Sequence, residues 1–270
     1  AGFGLDDLRR ANAWLLGSGL DIADVNRVRQ RLSLIKGGRL RAYLGGREAC
    51  VLAISDVARD DVRAIGSGPL AEPLPGELPP LPDWLAHWTA RASPASHADR
   101  EPVAHYVVAS LDDALQAAAE AAAAAGFTVQ AQGACLYGDT EETGRRLGRE
   151  LRVAAPGVWL WGGETTIRLP ERPGRGGRNQ HLALAAAVAL DGASSVALLA
   201  AGTDGTDGPT DDAGAIVDGN TVARGQAEGM DAGAALAAAD AGRFLQASGD
   251  LLSIGPTGTN VTDLVIGLRW

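Results

Sequence analysis

The stretch AAGTDGTDGPTDDAGAIVDG, Ala200 to Gly219, sets five aspartates, five glycines and one proline directly behind the apolar run SSVALLA. Carboxylates and hydroxyls are hard oxygen ligands. Asp204 and Asp207, with Thr203, Thr206 and Thr210, form a set suited to Mg²⁺ shared with a phosphate. Either aspartate is equally placed to take a proton from a substrate hydroxyl. Counting an EF-hand loop from Asp204 puts Thr206 third and Pro209 sixth, where that loop needs an acid or amide and then glycine. The glycine-rich calcium nonapeptide fails as well. The plain alternative is a long aspartate-rich turn in which Asp and Gly serve backbone conformation.

Three other polar loops fall at strand ends. GGETTIRL places Glu164 and two threonines beyond an apolar run, as a site or as a solvated turn. PGRGGRNQHLAL leads into a helix starting near Asn179, where exposed N–H groups and the Arg178 guanidinium favour a phosphate or carboxylate; an Asn cap on a hairpin tip is the alternative. SIGPTGTNVTDLVI offers Thr257, Thr259 and Asn260 between glycines, as an oxyanion cradle or a tight hairpin. Earlier in the chain, RQRLSLIKGGRL brings Lys36, the sole lysine, and two glycines to a helix end. Neither G-x-x-x-x-G-K-[ST] nor G-x-G-x-x-G occurs, so a nucleotide would be held by another kind of loop.

The elements that must position these loops follow from periodicity. LDDLRRANAWLLGSG and DIADVNRVRQRL read as helices and ACVLAISD as a buried strand. LAEPLPGELPPLPDW, with five prolines, reads as a surface linker over about residues 71–82. From about Val103 strands and helices alternate: HYVVAS, LDDALQAAAEAAAAAG, FTVQAQ, TEETGRRLGRELRVAA, GVWLWGG, RNQHLALAAAVAL, SSVALLAAG. That alternation predicts an α/β fold with mainly parallel strands flanked by helices, in two domains, 1–99 and 103–270. Ligands of such sheets bind beyond the carboxyl ends of the strands, where the polar loops fall.

Composition narrows the function. With 270 residues, 46% hydrophobic and 21% charged, the chain has core enough for an enzyme. A net charge of -9 opposes nucleic acid and anionic lipid as partners. The apolar stretch ALQAAAEAAAAAGF is broken by Glu120, and nothing at the start resembles a signal peptide, so no membrane association is expected. Cys50 and Cys135 lie in or beside apolar runs and read as small buried hydrophobes, which fits a reducing cytoplasm. The chain begins without methionine, which points to a native start further upstream.

Taken in order, GGETT, GGRNQ, GTDGTDGPTDDAGAIVDG and GPTGTNVTDL closely resemble the C-terminal MOFRL domain of the class II glycerate kinases, the glycerate 2-kinases. NRVRQRLSLIKGGRL and SDVARDDVRAIGSGP look like the later part of that family's N-terminal domain, so the resemblance covers essentially the whole chain. It implies two α/β domains with the active site in the cleft between them, and transfer of the ATP γ-phosphoryl group to D-glycerate with Mg²⁺, giving 2-phosphoglycerate. It assigns catalysis to Lys36, Arg178, Asp204 and Asp207, the last two also as metal ligands. Asn26, Arg29, Ser55, Asp56, Ser67, Glu164, Asn179, Gln180, Thr203, Thr210, Thr257 and Asn260 are implied to contact substrate or nucleotide. A homodimer is compatible with it. The family carries roughly a hundred more residues upstream, including a lysine and a glycine-serine loop used toward the nucleotide. It also commonly has glycine at the place of Arg59, glutamate at His181 and asparagine at Thr262, which read as tolerable variation. Hydroxypyruvate reduction, phosphorylation of another small hydroxy or sugar acid, and an inactive ligand-binding piece are the competing functions.

Overall fold

The computed structural model describes residues 3–91 and 103–270. Two compact units divide the chain, 1–108 and 109–270. The boundary expected between 99 and 103 touches residues 92–102, which lie outside the described residues; the division falls after Val108.

In the first unit, α1 (Leu5–Gly17), α2 (Ile22–Leu32) and α3 (Asp83–Arg91) gather around Ala11, Leu15, Val25, Val28 and Leu85. Asp21 caps α2 by accepting the Asp24 N–H at 2.7 Å. β1 (Cys50–Ile54) pairs with β2 (Ala104–Ala109) in a two-stranded sheet. The HYVVAS strand, expected to open the second domain, therefore joins the first unit. A two-stranded ribbon buries less than a central strand, and β1 leaves Cys50, Leu52 and Ile54 exposed. The expected burial of Cys50 is thus corrected, while the side chain of Cys135 lies outside the described residues. The proline-rich segment is irregular, as expected. It lies against α2, where Arg27 donates to the Pro75 carbonyl at 3.2 Å and Gln30 accepts the Leu74 N–H at 3.0 Å.

The second unit is built on six strands in the order β3-β4-β8-β5-β6-β7. These are β3 (Val129–Leu136), β4 (Gly157–Gly163), β5 (Val196–Gly202), β6 (Gly214–Asp218), β7 (Leu251–Leu252) and β8 (Asp263–Arg269). The α/β class holds, but the sheet is mixed where mainly parallel strands were expected. β3 and β4 pair in parallel, whereas β8 enters antiparallel between β4 and β5, and β6 runs antiparallel to β5. Strand-helix alternation reports only sequential neighbours; β8 pairs with strands far away in the chain.

Alternation along β8 separates two helical layers. Leu264, Ile266 and Leu268 face α4 (Leu111–Ala124), and Val265 faces the core of α5 (Thr140–Val153) and α6 (Arg178–Leu190). α6 is buried on all sides from Leu182 to Ala187, the pattern of a central helix. α5 lies close against it through Gly144 and Gly148. A Cβ on these would come within 2.3 Å of the Leu182 carbonyl oxygen and 2.7 Å of that of Ala186. α7 (Thr221–Ala227), α8 (Ala232–Ala237) and α9 (Ala241–Ser248) complete this layer.

Candidate active site

Register builds the site. Asp263, the first residue of β8, pairs with Gly163 at the carboxyl end of β4 and with Gly202 at the carboxyl end of β5. Period-2 alternation puts its side chain on the face of Val265, toward α6. There Arg178, the first residue of α6, directs Nη2 to Glu164 at 3.1 Å and to Asp263 at 3.3 Å. Both contacts use one nitrogen of a guanidinium with five N–H donors, so Arg178 keeps donors for a ligand anion. Burial opposes its charge, but Asp263 and Glu164 outweigh that and hold its pKa above the ordinary value.

These groups line a pocket of about 390 Å³ together with Asp204, Thr206, Asp207, His181 and Asn260. The acid-rich loop enters it as the connection between β5 and β6. Thr203 ties that loop to the segment before β8, donating from Oγ1 to the Thr262 carbonyl at 2.6 Å and accepting the Val261 N–H at 2.9 Å. Thr257 closes the same knot by donating to the Thr203 carbonyl at 2.6 Å. Asp204 accepts the Thr206 N–H at 2.9 Å within its own turn.

Asp207 has a different occupation. Its Oδ1 accepts the Asn179 N–H at 2.9 Å and its Oδ2 the Gln180 N–H at 2.8 Å, so a residue from another loop caps α6. The N-cap itself is Gly177, whose Cβ would lie 2.3 Å from the Asp207 carboxyl carbon; this close approach requires the glycine. Burial raises the pKa of Asp207 although the Gln180 and Asn179 N–H groups favour its ionised form. With both oxygens engaged, Asp207 is poorly free to ligate a metal.

Gln180 and Thr210 are buried and bond to each other at 2.8 Å, so neither lines the pocket. Thr203 and Thr257 likewise serve the loop knot. Asn179 is also buried, and its side-chain amide bonds to Asp207 at 3.4 Å and to Asp263. Glu164, Arg178, Asp204 and Asn260 are the expected residues that the pocket exposes to a ligand.

Asp263 was missed by sequence reasoning. Burial pushes its pKa up to about 6, against the Asn179 hydrogen bond and the Arg178 charge, which favour the ionised form. Its one sequence signal was its place at the end of the polar run GPTGTNVTDL. His181 was read only as a variation; it is buried at the pocket wall with Nδ1 unpartnered, and burial lowers its pKa despite Glu141 nearby. The other two departures share a backbone cause. Arg59 has φ of 63° and Thr262 has φ of 76°, the left-handed region that glycine and asparagine tolerate best.

The first unit gathers a second group. Lys36 donates to Ser67 Oγ at 3.3 Å, and Ser67 donates to Asn26 Oδ1 at 3.2 Å. The backbone holds the two loops together through Gly37 N–H to the Ser67 carbonyl at 3.1 Å and Gly38 N–H to that of Gly68 at 2.8 Å. Burial, and then Arg29, lower the pKa of Lys36. Ser55 is buried and donates to the Val57 carbonyl at 3.3 Å, and Asp56 is exposed; neither belongs to this cluster.

Among the described residues no three His, Cys, Asp or Glu side chains gather as a metal site. Mg²⁺ commonly takes only one or two protein carboxylates beside water and substrate phosphates. Asp204 fits that pattern; Asp207 does not. No helix among the described residues is long and apolar enough to cross a membrane.

Known proteins share this sequence pattern and this fold. The MOFRL family model matches residues 157–263, and a domain of unknown function, DUF4147, matches residues 1–75. A D-glycerate 2-kinase of Thermotoga maritima is 35% identical over 99% of this chain and 67% of its own length. An Agrobacterium vitis protein bearing a provisional hydroxypyruvate reductase name is 39% identical over 96% of this chain and 64% of its own. The crystal structure of glycerate kinase from Thermotoga maritima superposes with a TM-score of 0.84 at 33% identity, over 99% of this chain and 68% of that one. The chain belongs to the MOFRL family of glycerate kinases. It spans about two thirds of the length of these relatives.

Proposed function

We propose that the protein transfers the γ-phosphoryl group of ATP to D-glycerate, and that the pocket at the head of α6 holds the acceptor. The observation that carries this reading is Arg178, half-buried between two carboxylates at the edge of a polar pocket with donors to spare. A small hydroxy acid presents a carboxylate for that guanidinium and a hydroxyl for reaction. Phosphoryl transfer asks a protein mainly for positioning and charge neutralisation. Lys36 suits phosphate oxygens, since Ser67, itself held by Asn26, is a neutral partner that leaves its charge to be answered by a ligand.

Mg²⁺, when bound with the nucleotide, neutralises phosphate charge, and Asp204 is the protein ligand that fits it. The Thr203 knot fixes the loop that carries Asp204, so the carboxylate is aimed before the ligand arrives. Asp207 keeps the start of α6, and with it Arg178, in place. The free, exposed thiol of Cys50 suits a reducing, cytoplasmic setting.

The test couples ADP release to the acceptor acid. ADP formation that depends on D-glycerate supports the reading. NADH oxidation with hydroxypyruvate and no ADP formation would replace it with the reductase function.

A further inference from the structure

Four carboxylates line the pocket with Arg178, and their environments differ enough to separate their roles. Asp207 has both oxygens engaged by the first N–H groups of α6. Asp204 spends Oδ1 on its own turn and is the residue fitted to the metal. Glu164 pairs with Arg178, but its side chain is 52% exposed. Asp263 is 11% exposed, pairs with Arg178 at 3.3 Å and borders the same pocket.

We propose that Asp263 is the catalytic residue that accepts the proton of the acceptor hydroxyl, the hydroxyl on the carbon next to the carboxylate. The proposal rests on the kinase reading above. Arg178 and Asp263 are adjacent through Nη2 and Oδ2. A carboxylate held on the remaining donors of Arg178 therefore brings the neighbouring hydroxyl, rather than the terminal one, beside Asp263.

The step balances without a further reactant. The hydroxyl oxygen forms the bond to the γ-phosphorus as its proton passes to a carboxylate oxygen of Asp263. The bond from the γ-phosphorus to its bridging oxygen breaks, and that electron pair leaves on ADP. Water takes the proton from Asp263 before the next turnover. The charged groups facing Asp263 are Arg178 on α6, Glu164 after β4 and Asp207 on the β5–β6 loop, with the Asn179 amide between the two aspartates. Burial and the two negative neighbours hold Asp263 ready for a proton; Arg178 keeps it ionised above about pH 6.

Asp263→Asn keeps the shape and an acceptor for Arg178 but cannot take the proton. Its kcat for D-glycerate should fall about 10²–10⁴-fold, with KM for glycerate changed less than about threefold and glycerate binding by calorimetry retained. Glu164→Gln, which removes the other partner of Arg178, should raise KM and leave kcat within a few-fold. In the unaltered protein kcat should decline below about pH 6, and the product should be 2-phosphoglycerate. Asp263→Asn retaining more than about a tenth of kcat, or losing only affinity, overturns the proposal while the kinase reading stands. No glycerate-dependent ADP from the unaltered protein overturns both. Should Asp263→Asn not fold, the pH profile decides: a kcat level down to pH 5 overturns the proposal.

Discussion

The pocket on the second unit and the Lys36 cluster on the first are incomplete in opposite senses. The pocket of Arg178 is lined by Glu164, Asp204, Asp207 and Asp263, more negative charge than one guanidinium answers. Around Lys36 stand Ser67 and Asn26, both neutral, with Arg29 adding positive charge. Burial is uncomfortable for both surpluses. It raises the pKa of Asp207 and Asp263 and lowers that of Lys36. In the proposed function a ligand answers each surplus, a proton or a metal ion at one and phosphate oxygens at the other. Asp207 has both oxygens engaged by the start of α6, so Asp263 and Lys36 are the perturbed groups that point to a site.

The largest effect that could break this contrast is on Arg178. Arg178→Ala should lower kcat/KM for glycerate by at least about 10³-fold, as read by steady-state ADP release. A loss under tenfold would remove the acceptor from this pocket. Next in size is Asp207. Asp207→Ala leaves two N–H groups at the head of α6 unpaired and should lower unfolding stability by about 2–4 kcal/mol, measured by urea titration. An unchanged midpoint would return Asp207 to the ligand set.

A smaller effect sharpens the charge argument. Asp263 is raised to about 6 in the folded protein, so between about pH 4 and 6 the folded state binds more protons than the unfolded one. Its contribution to stability is full below about pH 4 and is lost as pH rises through about 6, up to about 3 kcal/mol. The stability difference between the unaltered protein and Asp263→Asn should therefore shift in favour of the variant across that window, and denaturation at pH 4.5 and 7.5 reads it. The smallest effect is at Thr262, whose left-handed backbone strains a β-branched residue and whose Oγ1 is buried without a partner. Thr262→Asn should raise stability by about 1 kcal/mol.

The loops that make the pocket were legible because their chemistry is local. Gly-rich acidic stretches after apolar runs mark strand ends, and Arg178 at a helix start was visible beside its glycines. What escaped was non-local. Asp263 acquires its surroundings from Gly163 and Gly202, 100 and 61 residues earlier, which become its neighbours only when β8 enters between β4 and β5. Asp207 looked like a ligand because its type suits one; its role as a cap depends on Asn179 and Gln180 folding beneath it. Gln180 and Thr210 were drawn into the expected site by the motif around them, yet both are buried and Gln180 donates to Thr210 inside. Position in a motif names a neighbourhood, and only packing says which side chains face outward.

The contrast between the two clusters is tested most directly by how each handles its own substrate. Lys36→Ala and Arg178→Ala should be compared for ATP and D-glycerate by initial rates, with each substrate varied against a saturating other. Removing one phosphate clamp costs about 10²–10³-fold. Lys36→Ala should show its loss in kcat/KM for ATP, with the KM for glycerate near that of the unaltered protein; Arg178→Ala should raise the KM for glycerate and leave that for ATP nearly unchanged. The reverse assignment, or equal effects of both variants on both substrates, would contradict the division of labour between the two units.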